Sequence, residues 1–176
     1  MDPEIAQFLE FIEESLDTIL SCVGNLSDEQ LLWKPDAPGT NCLQVIATHS
    51  LANAERNVLA TFCGETYAYD REAEFLASDA SSMELHQRWA ELRGRMRARL
   101  NGSDSSWLAR DCDHPRLGKV PGRTALLQAA RHAAEHVGEA RLMRALIDQD
   151  KLARSGHRPA EEVAFLCPAN AVQWPA

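Results

Sequence analysis

A chain of 176 residues, 45% apolar and 25% charged, suits one domain with one core and is too hydrophobic to be disordered. A net charge of −8 and a pI of about 5.2 argue against nucleic acid or an anionic membrane as partner, since both select a basic face. Cysteines 22, 42, 63, 112 and 167 form no CxxC, no apolar run approaches a membrane span, and the acidic start MDPEIAQFLEF lacks a basic leader, so a reducing cytoplasm is the expected setting.

The first predicted helix opens with Asp2 as cap and Pro3 in the first turn. Ile5, Phe8, Leu9, Ile12, Leu16, Ile19, Leu20 and Val23 then recur at helical spacing, up to a stop before Gly24. Ser27 followed by Gln30 has the capping-box pattern and predicts a short turn, closed by Trp33-Lys34-Pro35. After the loop Asp36–Gly39, Thr40 or Asn41 is the expected cap of a second long helix, which runs to about Cys63 and stops at Gly64. Cys42, Val45, Ile46, His49 and Ala52 share one face of it, and His49 is the polar exception on that apolar stripe.

Residues 65–80 are mixed and acidic and read as a crossover loop. Ser81 and Glu84 form a second capping box and open a third helix. Its seam is Leu85, Trp89, Leu92, Met96 and Leu100, and Asn101-Gly102 ends it. Arg88, Arg93, Arg95, Arg97 and Arg99 lie off the seam and read as a solvated surface. Residues 103–123 read as a connecting loop with room for a short hairpin, and Trp107 is its one large anchor. A fourth helix follows from Thr124 to about Asp148. Four amphipathic helices of similar length with no alternating strand pattern predict an all-α four-helix bundle over residues 1–150. Residues 151–176, with Pro159, Pro168 and Pro175, read as an irregular extension whose apolar patch 163–166 packs on the bundle or on a second subunit.

His132 and His136 are four apart on the fourth helix, which puts both imidazoles on one face with Cβ atoms about 5–6 Å apart. Six histidines in a chain this long produce about 0.2 such pairs by chance, so the pair alone is a weak motif. His49 strengthens it, because mid-helix positions of neighbouring bundle helices lie at similar height. Three neutral imidazoles leave an open coordination position, and such sets suit zinc, nickel, iron or copper. The plainer readings are a hydrogen-bonded core imidazole at His49 and a half-exposed pair at His132 and His136. Cys42 reads as core packing, His86 as a helix-boundary residue, and His114 and His157 as loop residues. Glu135 and Glu139 adjoin the pair and are the carboxylates available for general-base work, although most such glutamates are solvated. His132 to His136 also spell H-x-x-E-H, but that inverted protease pattern needs a later acidic ligand, and only Glu161 and Glu162 stand in a suitable region.

Three pieces in order resemble the DinB/YfiT-like superfamily of four-helix-bundle metalloenzymes: the Leu-rich first helix, LSDEQLLWKPDAPGTNCLQVIATHSLANAE (residues 26–55), and RHAAEHVGEARLMRALI (residues 131–147). The resemblance implies an up-down-down-up bundle with a crossover between helices two and three, often dimeric. It also implies a divalent metal, zinc or nickel ahead of iron, held by His49, His132 and His136. Members include bacillithiol and mycothiol S-transferases and a maleylpyruvate isomerase, which implies activation of a thiol or water, with a low-molecular-weight thiol as cosubstrate and a small molecule as substrate. A non-catalytic metal-binding stress-response or interaction bundle is the alternative.

Overall fold

The computed structural model describes residues 1–68 and 80–154, with the side chains of 151–154 left aside. Helix α1 spans Pro3–Val23, and the Asp2 carboxylate accepts from the N–H groups of Glu4 and Ile5. Helix α2, Asp28–Leu32, has both halves of its capping box in place. Helix α3, Leu43–Ala54, continues without a break into a π-helical segment, Glu55–Phe62, which closes at Gly64 with a φ of +77°. Helix α4, Ser82–Leu100, opens on the Ser81/Glu84 capping box. A short helix α5, Ser106–Ala109, leads into a hairpin of β1, Asp111–His114, and β2, Gly118–Pro121. Helix α6 runs from Gly122 to Arg154.

Cross-helix contacts fix the directions of the four long helices. Glu4 meets Arg123, and the carbonyls of Cys22 and Gly24 accept from Arg144, so α1 and α6 are parallel. Asp17 accepts from Trp89 while Glu13 accepts from Arg97, so α4 runs against α1. Gln44 donates to the Ala80 carbonyl, and Glu55 and Glu65 pair with Arg88 and Arg99, so α4 runs along α3 and its π segment. The order is therefore up-down-down-up, as the resemblance implies. Two parallel neighbours need a crossover, which occupies 64–81 and is described only to 68 and from 80.

The predicted stripes form the core: Ile5, Leu9, Ile12, Leu16 and Ile19 from α1 pack with Leu43, Ile46 and Leu51, with Leu85, Leu92 and Met96, and with Ala125, Ala129 and Ala133. The alanines let α6 approach its neighbours closely. No described helix is long and apolar enough to cross a membrane.

Several boundaries differ from expectation. The second helix is capped by Cys42 without a side-chain bond, because Thr40 Oγ1 donates to the carbonyls of Pro35 and Ala37 and is spent on the preceding turn. Helix α6 begins at Gly122 rather than Thr124 and passes Asp148, since nothing before Gly156 breaks it. The 103–123 connection holds a helical turn and the hairpin. The arginines of α4 are not merely solvated: Arg97 forms a two-point bond with buried Glu13, Arg93 pairs with Asp17, and Arg95 bridges Glu55 and Glu65. The patch 163–166, Glu161, Glu162, His157 and Cys167 lie outside the described residues.

Candidate metal centre

His49 reaches the bundle interior from the middle of α3. His132 and His136 come from successive turns of α6, which packs against α3. One ligand atom from each of the three lies within 4.8 Å of the others. His132 Nε2 is 2.9 Å from His49 Nε2. The ring centroids are 4.4 Å apart for His132 and His136, 4.7 Å for His49 and His132, and 5.4 Å for His49 and His136, all edge-on rather than stacked. Two nitrogens bound tetrahedrally to one zinc at about 2.0–2.1 Å stand roughly 3.3 Å apart, so the cluster is near the size a single ion requires.

Protonation chemistry points the same way. Burial, and then the neighbouring His136, His49, Arg56 and Arg131, push the His132 proton off until its pKa is down to about 3. His132 therefore presents a neutral imidazole at neutral pH, the state a metal ligand needs. Its Nδ1 is buried with no hydrogen-bond partner. Nδ1 of His136 lies 2.7 Å from Glu139 Oε2, which leaves Nε2 for the cluster. A carboxylate so placed fixes the tautomer and makes the other nitrogen a better donor. The residues present thus fit a divalent metal: three imidazoles, one held neutral and one oriented by a carboxylate.

The other predicted candidates separate. Glu135 is exposed and pairs with Arg131 at 3.3 Å, on the outer side of α6. Glu139 acts on His136. Cys42 is the buried N-cap of α3, outside the histidine cluster. His86 is exposed, with Nδ1 at 2.7 Å from the Ser82 carbonyl. His114 is not a loop residue but lies buried on β1, with Nε2 3.1 Å from Asn57 Oδ1. Sequence reasoning passed over Arg56, Asn57 and Thr61, which the π segment buries beside it. The four described cysteines are free and buried, and desolvation raises the pKa of Cys22 and pushes that of Cys63 up to about 11.

The depressed histidines set a pH dependence. His132 sits well below its ordinary 6.5, and desolvation, followed by Arg56 and Arg116, lowers His114 as well. Below pH 6.5 the unfolded chain takes up protons that the folded chain refuses, so stability present above that pH erodes as pH falls towards 3. Each group contributes at most about 1.4 kcal/mol per pH unit. In metal-free protein the melting temperature should fall from pH 7 to pH 4 more steeply for wild type than for His132→Leu. Parallel curves would contradict a buried neutral His132.

A family model described as mycothiol-S-transferase matches residues 7–149. Two solved structures share the fold. A conserved protein from Enterococcus faecalis is 15% identical, with a TM-score of 0.66 over 85% of this chain and 99% of its own. YfiT from Bacillus subtilis, described as a probable metal-dependent hydrolase with an unusual four-helix bundle topology, is 20% identical, with a TM-score of 0.62 over 90% of this chain and 91% of its own. No curated protein matches the chain. At these identities the structural likeness speaks for the bundle alone. The family match runs from α1 deep into α6 and takes in all three histidines, and on that ground the chain belongs to the mycothiol-S-transferase family.

Proposed function

We propose that the protein is a metal-dependent S-transferase that joins a low-molecular-weight thiol of the mycothiol type to a small electrophile, with His49, His132 and His136 as the metal ligands. The observation that carries this reading is the convergence of three imidazoles within 4.8 Å inside a member of this family. A zinc or nickel ion with an open position supplies a Lewis acid that makes a thiol ionise near neutral pH. His132 keeps its lone pair available because burial denies it a proton. His136 is turned and held by Glu139, a positioning residue, while Glu135 is engaged with Arg131.

The test is conjugation of mycothiol to a fluorogenic electrophile by untagged protein. A rate proportional to enzyme, abolished by chelation and restored by zinc or nickel, is expected. Conjugation no faster than the uncatalysed reaction, with metal bound, would overturn the transferase reading. Glu139→Gln keeps the shape but weakens the hold on His136, so metal affinity should drop about 10–100-fold. Competition with a chromophoric chelator measures this, and an unchanged affinity would remove Glu139 from the site.

A further inference from the structure

The helix that supplies His49 ends in a π-helix of eight residues, Glu55–Phe62. Such helices are rare, mostly single turns, and gather at functional sites. This one is anchored at both ends. Upstream it continues α3 without a break, and His49 stands one α turn before Asn53 on that rod. Downstream Phe62 is fully buried and packs on Trp107, and its carbonyl accepts from the Arg110 guanidinium. An i→i+5 ladder turns less per residue than an i→i+4 ladder. With Phe62 fixed, a return of the segment to α geometry would therefore rotate His49 about the helix axis, away from its 2.9 Å approach to His132.

Three side chains hold the wide turn: Asn53, Asn57 and His114 are buried, with relative exposures of 6%, 1% and 8%. Nδ1 of His114 accepts from the N–H groups of Arg116 and Leu117, both at 3.1 Å, so Nε2 carries the proton and donates it to Asn57 Oδ1 at 3.1 Å. The Asn57 amide is thereby oriented, and both hydrogens of its Nδ2 go to Asn53. One reaches Oδ1 at 2.9 Å and the other the backbone carbonyl at 3.0 Å. That carbonyl lies at the junction where the α ladder gives way to the π ladder.

The direction of every bond in this chain is set from the hairpin. A reversed Asn57 amide would point its NH2 at a nitrogen that also donates. Cutting one link leaves the other members buried without partners, which costs more than the link itself contributes. None of the three belongs to the ligand set.

We propose that His114 is a positioning residue for the metal centre: through Asn57 and Asn53 it holds the π segment in its wide turn and so sets the angle at which His49 meets His132 and His136. This rests on the three histidines as metal ligands, which is part of the reading above, and not on the transfer reaction.

The experiment is the visible absorption spectrum of the full chain loaded with cobalt(II), whose bands follow coordination geometry, with cobalt affinity taken from the same titration. Two substitutions separate the two nitrogens of His114. His114→Asn keeps an oxygen near the Nδ1 position for the N–H groups of Arg116 and Leu117, as in an Asx-turn, but is too short to reach Asn57. His114→Gln does the reverse, placing an amide donor near the Nε2 position and giving up the turn bonds. His114→Asn should shift the cobalt bands and weaken cobalt binding about tenfold, while His114→Gln should keep the wild-type bands and affinity. Asn57→Asp still accepts from His114 but no longer donates to Asn53, so it should act like His114→Asn, and it carries the test if His114→Asn does not fold. Wild-type bands in folded His114→Asn or Asn57→Asp, or bands in His114→Gln displaced as far as in His114→Asn, would overturn the positioning role. A wild type that takes up no cobalt would instead remove the ligand set, and this inference with it.

Discussion

His132→Ala is expected to leave a folded bundle that no longer retains metal. Untagged wild type should carry about one divalent ion per chain, and the variant close to none, measured by elemental analysis after gel filtration. The reason is geometric: His132 sits nearest both partners, with its Nε2 2.9 Å from His49 and its ring 4.4 Å from His136. Removing it leaves two imidazoles that no longer enclose a point. The accompanying stability change has an unusual sign. Without metal, the wild type keeps a buried imidazole nitrogen with no hydrogen-bond partner, so an apolar replacement such as His132→Leu costs little or stabilises. With zinc or nickel added, only the wild type should gain melting temperature, by the linkage of binding to folding. A His132→Ala protein that retains a full equivalent of metal would remove this residue from the ligand set.

Gly122→Ala should destabilise by roughly 2–3 kcal/mol, a melting temperature lower by about 5–10 °C for a chain of this length. A Cβ at Gly122 would stand 2.2 Å from the Trp107 carbonyl oxygen and 2.9 Å from Phe62 Cε2. That is where α6 starts: the Gly122 N–H donates to the Arg110 carbonyl at 2.9 Å, and Phe62 and Trp107 pack with centroids 5.9 Å apart. Neither a backbone carbonyl nor a fully buried ring can yield cheaply. Gly94→Ala, on an exposed position of α4 with nothing within 4 Å, is the control and should stabilise by about 0.5–1 kcal/mol. Thermal unfolding of the pair checks both signs, and a neutral Gly122→Ala would mean that α6 can start elsewhere.

Features that depend on local chemistry were legible before the coordinates. Asp2 and Pro3, Ser27 with Gln30, and Ser81 with Glu84 cap their helices as their spacing predicts, because a cap is settled within four residues. The His132/His136 pair was legible for the same reason, and His49 stood out as a polar break in an apolar stripe. What stayed hidden depends on partners far along the chain. The arginines of α4 look solvated until α1 and the π segment supply Glu13, Asp17, Glu55 and Glu65. His114 looks like a loop residue until the hairpin folds it onto Asn57, fifty-seven positions away. The π segment has no marker in a 3.6-residue period, since its wider turn alters which residues face inward without altering composition. Arg56, Asn57 and Thr61 are buried, and nothing in the sequence singled them out.

On the proposed transferase reading, the burial of the four described cysteines has a consequence. Cys22, Cys42, Cys63 and Cys112 are shielded from solvent, and Cys63 is further kept in its unreactive neutral form by burial. A catalyst that brings alkylating agents to thiols risks becoming its own victim, since a protein thiolate competes with the small thiol for every electrophile that arrives. Among the described residues no thiol stands exposed to enter that competition, so an electrophile delivered by the proposed transferase would be left to the small thiol.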